Sequence, residues 1–385
     1  MSIDLNLPRV SVVIANLDGK ETLGSCLGSL RHVDYPKELF EVLLVDNGSK
    51  DGSPRLVEKT FPEVKIIENE RNVGVAAANN IGVRNSSGEF VAFLNNDARV
   101  NRTWLIELIK LTIRDSTVAS VGSKILSWDG KTIDYGGAGT NFHGIAFQEG
   151  YKEPDSDRFN HERPVLFATA ASMLVNRKVF LDIGGFDEDY FAYYEDVDLG
   201  WRLWILGHKV IYSPTSIAYH YHSRTSQRIG IEKLRVFHIR NPLYTIIKNY
   251  SQESLEKTLA AALLLSIKRT LLLARMDDSK FRIDSHDTFG SSRMQLLKRS
   301  DSVSLPKVAA SDLVAYSDIL LNLPSLLKKR EWIQNRRKRD EKEIFKLFMN
   351  PHWAVEPYEE YRSLQSLVEE WLGVASLFEN QAQSS

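Results

Sequence analysis

The stretch Phe90–Asp97, FVAFLNND, constrains the fold of this chain more than any other. Its first five residues are all apolar, which predicts a buried strand, and the lack of alternation favours a parallel strand covered on both faces. In open α/β sheets, ligands bind just beyond the carboxyl ends of such strands, so Asp97 is a candidate binding residue. Hard divalent cations prefer oxygen ligands of this kind. The alternative is a polar turn, since Asn and Asp are common turn formers.

Four apolar segments alternate with helical patterns over residues 10–94. The predicted strands are Val10–Ala15, Phe40–Val45, Val64–Glu68 and Phe90–Leu94. This order predicts a parallel, doubly wound sheet with right-handed crossovers. Three strands end in Asn and Asp residues, namely Asn16 and Asp18, Asp46 and Asn47, and Asn95, Asn96 and Asp97. Because these ends meet at one edge of the sheet, they predict a polar crevice suited to a nucleotide.

Two common phosphate-binding motifs are absent from the sequence. No GxGxxG follows the first predicted strand, and no GxxxxGK[ST] occurs anywhere, which disfavours a dinucleotide fold and a P-loop. If phosphates bind in the predicted crevice, a metal ion held by Asp97 would have to neutralise much of their charge.

Composition narrows the class of protein. The 385 residues are 43% hydrophobic and 26% charged, as in globular proteins, and the length favours two domains, with three as the alternative. The net charge of −1 gives no field that would attract nucleic acid. Cys26 is the single cysteine, which excludes an internal disulfide and fits a reducing compartment. No signal peptide or apolar run of spanning length is visible, so we expect a cytoplasmic protein or one attached to a membrane surface.

A second informative stretch is Gly184–Arg202, GGFDEDYFAYYEDVDLGWR, in which acidic residues lie among aromatic ones. Apolar walls raise the proton affinity of a carboxylate, so Glu195 and Asp196 are candidates for a general base. The alternative is an ordinary helix start, where carboxylates are also favoured. Upstream, residues 134–144 are glycine-rich, and a mobile lid and a plain loop both fit that composition.

Two histidines follow on one predicted strand. His220 and His222 lie on the same face because side chains alternate along a strand. A lone histidine is usually structural, but two downstream of an acidic cluster make a metal ligand an equal alternative.

The last third of the chain, residues 251–385, is predicted to be mainly helical. It carries basic clusters at Lys328–Arg330 and Arg336–Arg339. A solvated helix face is the simpler interpretation. The alternatives are peripheral contact with a membrane surface or with a lipid diphosphate, and the leucine-rich helices could form a homodimer. Nucleic acid is disfavoured because no aromatic residues interleave with the basic run.

Taken together, these segments resemble the GT-A-fold family 2 glycosyltransferases, and among them the bacterial rhamnosyltransferase-like members. The resemblance runs from residue 10 to about 250. It is carried by SVVIANLDG (11–19), LLVDNGSKDGS (43–53), ENERNVGVAAANNIGV (68–83), FLNNDARV (93–100), GGFDEDYFAYYEDVDLGWRLW (184–204) and RNPLYTIIKNY (240–250). It implies a GT-A domain over residues 1–250, with a Rossmann-like, mostly parallel twisted sheet and flanking helices. A helical C-terminal region, residues 251–385, then follows.

The resemblance also implies roles for individual residues. Asp97 takes the place of the metal-binding carboxylate in the family's DxD-like motif, with Asn95 in place of the first Asp, and His220 is a further metal ligand. Asp196 matches the catalytic base of the family's ED motif. Asp46 matches the carboxylate that contacts the pyrimidine base, and Asn79 lies where many relatives have an arginine. The implied nucleotide-sugar contacts are Asn16, Asp46, Asn79, Asn95, Asn96, Asp97 and Glu195.

The implied activity is an inverting, metal-dependent sugar transfer with Mg²⁺ or Mn²⁺. The donor is expected to be dTDP-rhamnose or a UDP-sugar, and the acceptor a glycan or a polyprenyl-linked sugar in cell-surface polysaccharide synthesis. Two other classes remain open from the residues alone. A sugar nucleotidyltransferase would normally carry a basic, glycine-rich loop after the first strand, which NLDGKETLG (16–24) matches poorly. A non-catalytic nucleotide-sugar-binding module would not need Asp97, Asp196 and His220.

Overall fold

A computed structural model describes residues 7–221, 230–275 and 306–379. His222 lies outside these residues. The strands are β1 (Val10–Asn16), β2 (Phe40–Asp46), β3 (Lys65–Glu68), β4 (Phe90–Leu94), β5 (Ala98–Val100), β6 (Val118–Ser127), β7 (Ile133–Tyr135), β8 (Ala138–Thr140), β9 (Ala146–Gln148), β10 (Arg163–Pro164), β11 (Ser172–Asn176) and β12 (Lys209–His220). The helices are α1 (Lys20–Leu30), α2 (Ser53–Thr60), α3 (Val75–Arg84), α4 (Trp104–Arg114), α5 (Arg177–Asp182), α6 (Glu195–Ile205), α7 (Ile231–Asn249), α8 (Gln252–Ala274), α9 (Lys307–Gln334), α10 (Glu341–Phe345) and α11 (Glu359–Trp371).

The main sheet has the strand order β10-β12-β6-β11-β4-β1-β2-β3, with β5 beside β12 and β7 beside β6. The strands β3, β2, β1 and β4 pair in parallel, as the alternation of strands and helices predicts. Beyond β4 the sheet becomes mixed, because β11 inserts antiparallel between β4 and β6. All five residues of β4 are buried, in agreement with its unbroken apolar run. The predicted α/β class with a helical C-terminal region is therefore confirmed.

The described C-terminal helices pack against the sheet domain. Leu265 of α8, Leu326 of α9 and Phe345 of α10 are buried in the same apolar cluster as the residues of β1 and β4. The proposed domain boundary, between residues 250 and 251, falls in the short turn between α7 and α8. Burial of a shared apolar surface is what keeps the two parts of the chain together.

Some side chains of the two basic clusters form ion pairs and hydrogen bonds within the molecule. Lys329 Nζ lies 2.5 Å from carboxylate oxygens of both Asp187 and Asp189, and Arg330 donates to the carbonyls of Ile247 and Tyr250. Lys328, Arg336 and Lys338 are exposed. Exposed leucines on α9 include Leu320 and Leu321. Membrane contact and a homodimer stay predictions, and in the described parts of the chain no helix is long and apolar enough to span a bilayer.

Close packing of α3 on the sheet depends on Gly82. A Cβ added there would lie 2.3 Å from Cγ1 of Val13 and 3.2 Å from Cγ2 of Val45. We expect Gly82→Ala to lower the free energy of unfolding by about 1–3 kcal/mol, because both neighbours belong to buried strands. Thermal and urea unfolding followed by circular dichroism measure the change.

The matched control is Gly24→Ala on α1, where an added Cβ meets no atom within 4 Å. This exposed helical position should gain roughly 0.5–1 kcal/mol from the better helix former. Equal gains in both variants would contradict the tight approach of α3 to β1 and β2.

Candidate active site

A cavity of about 1250 Å³ opens at the carboxyl ends of β1, β2 and β4. Most of the residues predicted from the sequence line it, namely Asn16, Asn95, Asn96, Asp97, Glu195, Asp196 and His220. Asp46 and Asn79 do not. The structure therefore brings Asp97 and Asp196, which are far apart in sequence, to the wall of one cavity.

A chain of amide hydrogen bonds connects the ends of β1, β2 and β4. The Asn96 side chain donates to Asn16 Oδ1 (2.8 Å), and Asn16 Nδ2 donates to Asp46 Oδ1 (2.7 Å). Asp46 also accepts from the Ser49 hydroxyl and from the backbone amides of Gly48 and Ser49. Its carboxylate is thus saturated and buried, and a contact with a nucleotide base would have to displace one of these donors.

The neighbouring residue, Asn47, lines the cavity, whereas Asp46 does not. Its side chain donates to Asn72 Oδ1 and to the Gly74 carbonyl, both at 3.3 Å. The sequence pointed to the adjacent polar residues Asp46 and Asn47. Which of the two faces the cavity depends on the conformation of the turn after β2, and the sequence does not reveal it. Asn79 lies buried on α3, outside the wall of the cavity.

Asp97 belongs to a three-residue cluster with His220 and Asp134. His220 Nε2 lies 3.0 Å from Asp97 Oδ1, and Nδ1 lies 2.7 Å from Asp134 Oδ2. Burial would lower the pKa of His220, but the hydrogen bonds and negative charges of Asp134 and Asp97 raise it to about 10. Asp134 comes from the glycine-rich stretch, in which no motif distinguishes it from an ordinary loop residue.

The donor types of this cluster fit a divalent cation. Asp97 offers oxygen, and His220 can offer Nε2 when an incoming cation displaces its proton, while Asp134 holds Nδ1 as a supporting carboxylate does in many metal sites. In the described parts of the chain, no group of three or more His, Cys, Asp or Glu side chains is arranged to hold a metal by itself. The pair therefore fits a cation that takes its other ligands from substrate phosphates and water, as Mg²⁺ does.

The loop before α6 has a strained backbone. Phe191, Tyr193 and Tyr194 have φ values of 63°, 66° and 70°, a region that side chains rarely adopt. The fully buried Asn241 of α7 holds this loop, because its Nδ2 donates to the carbonyls of Tyr193 (2.7 Å), Ala192 (2.9 Å) and Tyr190 (3.3 Å). Strain of this kind persists only where surrounding contacts hold it.

This loop leads directly into α6, whose first turn contains Glu195 and Asp196. Asp196 is partly exposed to the cavity and accepts a hydrogen bond from the Ala170 amide (3.1 Å). Burial raises the pKa of Asp196. Burial, and then the charge of Asp196, raise the pKa of the buried Glu195 to about 8, and Glu195 Oε2 has no partner among the described residues. Burial thus disfavours the charged form of both adjacent carboxyls.

A buried ion network fixes the rest of α6. Asp198 is fully buried and accepts from Arg202 Nε (2.8 Å) and Asn249 Nδ2 (3.0 Å), and it lies 2.8 Å from Lys248 Nζ. Lys248 also pairs with Asp187 (2.5 Å). The sequence grouped all these acids together, and only the fold separates Asp196, which faces the cavity, from Asp198, which faces α7.

The wall opposite the strand ends is aromatic and comes largely from later parts of the chain. Phe147 of β9 contacts Trp353 edge to face, with ring centroids 5.4 Å apart, and Tyr193 contacts His238 of α7 at 5.2 Å. Arg269 of α8 completes this wall. Sequence reasoning assigned no role to Trp353 or Arg269, because residues 251–385 matched no motif.

Comparison with known proteins identifies related sequences. Residues 11–184 match the family model Glycosyl transferase family 2. The chain is 32% identical over 242 residues to O-antigen biosynthesis protein RfbC of Myxococcus xanthus, covering 58% of this chain but only 18% of RfbC. It is 28% identical over 223 residues to the N-acetylglucosaminyl-diphospho-decaprenol L-rhamnosyltransferase of Mycobacterium tuberculosis, covering 51% of this chain and 71% of that enzyme.

A solved structure confirms the fold. GalNAc-T7, crystallised with UDP, GalNAc and Mn²⁺, superposes with a TM-score of 0.55 at 19% identity, over 72% of this chain and 54% of that protein. Likeness at this identity bears on the fold alone, and it agrees with the GT-A architecture expected from the sequence.

The loop clamp can be tested through Asn241. Asn241→Leu removes the donors to three carbonyls, and Asn241→Asp places a carboxylate against them. We expect losses of about 2–5 kcal/mol in the free energy of unfolding, larger for the Asp variant. Hydrogen exchange should accelerate in residues 190–194 before it does in β1. Unchanged exchange in that loop would show that other contacts hold it.

The raised pKa of Glu195 predicts a pH dependence of stability. A carboxyl whose pKa is higher in the folded than in the unfolded chain costs stability as the pH rises between the two values, here from about 4.5 to about 8. Glu195→Gln removes this cost. The melting temperature of the variant should therefore gain on wild type across that range and then level off. A difference that is constant with pH would mean that Glu195 is already ionised at acidic pH.

Proposed function

We propose that this protein, whose residues 11–184 match the family model Glycosyl transferase family 2, transfers a sugar from a nucleoside diphosphate donor to an acceptor hydroxyl with inversion. The acceptor is a glycan or a lipid-linked sugar. The observation that carries this proposal is the position of Asp97, His220 and Asp196 on the wall of one cavity. Such an arrangement puts a phosphate-binding group and a proton acceptor within reach of the same substrate.

The donor is proposed to bind at the strand ends. The linked amides of Asn16 and Asn96 present a preformed polar floor, and Asn47 lies beside them on the same wall. The buried Asp46 carboxylate fixes the orientation of the Asn16 amide by accepting a hydrogen bond from it. Preformed hydrogen-bonding groups at the carboxyl edge of a sheet suit the base and ribose of a nucleotide.

Asp97 and His220 would hold a divalent cation, Mg²⁺ or Mn²⁺, against the donor diphosphate. When bound, such a cation supplies positive charge that stabilises the leaving nucleoside diphosphate. The donor types of Asp97 and His220 support this assignment, and GalNAc-T7, of similar fold, was crystallised with Mn²⁺ and UDP. Asp134 keeps the His220 ring in place through its hydrogen bond to Nδ1.

Asp196 is the proposed general base. It accepts the proton of the acceptor hydroxyl as that oxygen attacks the anomeric carbon, while the bond from this carbon to the phosphate oxygen breaks. The electron pair leaves with the nucleoside diphosphate, and a single displacement inverts the anomeric centre. The raised pKa of Asp196, due to burial, supports the role because it strengthens the carboxylate as a base.

For the sugar, the best candidate is L-rhamnose or a related deoxysugar from a dTDP donor, with UDP-sugars as the alternative. The support is the similarity to the mycobacterial rhamnosyltransferase, whose name also gives a diphospho-linked acceptor sugar. Cell-surface polysaccharide synthesis is the corresponding role, in line with the O-antigen relative.

Asp196→Asn tests the mechanism. Transfer should fall by about 10²–10⁴-fold, because the acceptor proton has no acceptor group, while the donor dissociation constant changes little. Release of nucleoside diphosphate from a panel of dTDP- and UDP-sugars with Mg²⁺ or Mn²⁺ measures turnover, and calorimetry measures donor binding.

The control is Asp182→Asn, an exposed carboxylate at the end of α5 that lies outside the cavity. Near-normal turnover in Asp196→Asn would refute the base assignment. Release of pyrophosphate in place of nucleoside diphosphate by the wild type would instead indicate a nucleotidyltransferase.

A further inference from the structure

We infer that Arg269 and Trp353, from the C-terminal region, form an acceptor subsite for a sugar that carries a phosphate group. This inference rests on the proposed function, since it assigns the half of the same cavity that the donor leaves open. The cavity volume of about 1250 Å³ exceeds the range of roughly 300–1,000 Å³ that is typical of pockets for one small-molecule ligand. The cavity therefore has room for a second substrate beside the donor.

Arg269 contributes to the cavity wall a guanidinium group with unfilled hydrogen-bonding capacity. Its Nε donates to Glu356 (2.7 Å), but Nη1 and Nη2 make no hydrogen bond within the described parts of the chain. The side chain is 24% exposed and lines the cavity wall. A guanidinium held through Nε presents its two terminal nitrogens as a fork, the geometry that binds a phosphate through two parallel hydrogen bonds.

Arg269 lines the same cavity as the proposed base, Asp196. Burial, and then the positive charge of Arg269, lower the pKa of His238, which lines the same cavity. The Tyr194 hydroxyl accepts a hydrogen bond from the Ala146 amide (3.3 Å), next to Phe147. A sugar attached to a phosphate on Arg269 would therefore lie in the cavity that Phe147, Trp353 and Asp196 line.

Trp353 supplies the surface for that sugar. The loop that carries it is fixed from outside the cavity, because Asn141 Nδ2 donates to the Trp353 carbonyl (3.1 Å) and the Phe142 amide to the Pro351 carbonyl (2.9 Å). Its indole Nε1 has no hydrogen-bond partner among the described residues. A half-buried indole offers an apolar face for the C–H face of a pyranose and a donor for a hydroxyl.

A further cation lies at the rim. Lys233 of α7 lines the cavity, is exposed and forms no ion pair within the described ranges. Glu356 balances the charge of Arg269, so the positive charge of Lys233 is what adds an attraction for an anion. Cations beside aromatic rings favour a phosphorylated sugar over a neutral one.

Calorimetry with saturating UDP and Mg²⁺ tests the subsite, because UDP fills the donor diphosphate position. The probes are glucose 1-phosphate, galactose 1-phosphate and N-acetylglucosamine 1-phosphate, each compared with its methyl glycoside and with inorganic phosphate. At least one sugar phosphate should bind wild type about 10- to 100-fold more tightly than its methyl glycoside. Arg269→Gln should abolish this preference, and Arg269→Lys should retain part of it.

Two control variants separate binding from structure. Glu356→Gln removes the ion pair but keeps Arg269, so the preference for the phosphate should persist. Trp353→Leu should weaken the sugar phosphate and the methyl glycoside in parallel. UDP affinity, which should stay at the wild-type value in all four variants, shows that each is folded. Tighter binding of glucose 1-phosphate than of glucose 6-phosphate would favour a lipid-linked sugar, and the reverse a phosphate within a polymer.

The inference is overturned if no sugar phosphate is preferred, if Arg269→Gln keeps the preference, or if the probe displaces UDP. These results are distinct from failure of the proposed function. A protein that binds UDP and releases nucleoside diphosphate from a donor, yet shows no preference for phosphorylated probes, would refute the subsite alone. A protein that binds no nucleotide sugar would refute the donor site on which both depend.

Discussion

The buried carboxylate of Asp198 is the interaction on which the geometry of the site depends. It is fully buried, and its charge is balanced by Arg202 on its own helix and by Lys248 on α7. Removing one partner of such a group leaves an unpaired buried charge, at a cost of about 3–5 kcal/mol. Because Lys248 also contacts Asp187, and Asp187 contacts Lys329 of α9, the network ties α6 to the C-terminal helices. The orientation of the proposed base is therefore set from outside the sheet.

The walls of the cavity are held in place by two different sets of hydrogen bonds. At the strand ends, hydrogen bonds between short polar side chains, such as Asn16 and Asn96, build a rigid floor on buried strands. On another wall of the cavity, the strained loop is held by the Asn241 amide, with further hydrogen bonds from Arg240 and from the Ala76 amide. Phe191 in this loop approaches α3 so closely that a Cβ on Gly74 would lie 2.5 Å from its carbonyl oxygen. Glycine at position 74 thus lets the loop close over the edge of the sheet, so that both walls belong to one cavity.

The sequence predicted the parts of this structure that local patterns determine. The run Phe90–Leu94 specified a buried strand, and the polar residues after it were brought to the cavity as expected. The antiparallel insertion of β11 depends on contacts between distant segments, and no local pattern encodes it. The same limit applies to side-chain direction. Asp46 and Asn47 are adjacent and both polar, yet the turn after β2 buries the first and turns the second toward the cavity. Asp134 could be recognised only once β7 and β12 had brought it to His220.

The two halves of the cavity also have different origins in the chain. The match to the family model ends at residue 184, so it includes the strand ends and Asp97 but stops before Asp196 and His220. Arg269 and Trp353 come from still later segments. The part of the cavity at the strand ends is the proposed binding site for the nucleoside diphosphate. The wall with Arg269 and Trp353 comes instead from a helix and a loop that pack on the sheet domain. Substitutions in that wall can alter which acceptor fits without disturbing the floor, because the hydrogen bonds of Asn16, Asp46 and Asn96 do not pass through it. Under the proposed function, specificity for the acceptor is thus physically separable from donor binding, and the two proposed subsites share the wall that holds Asp196.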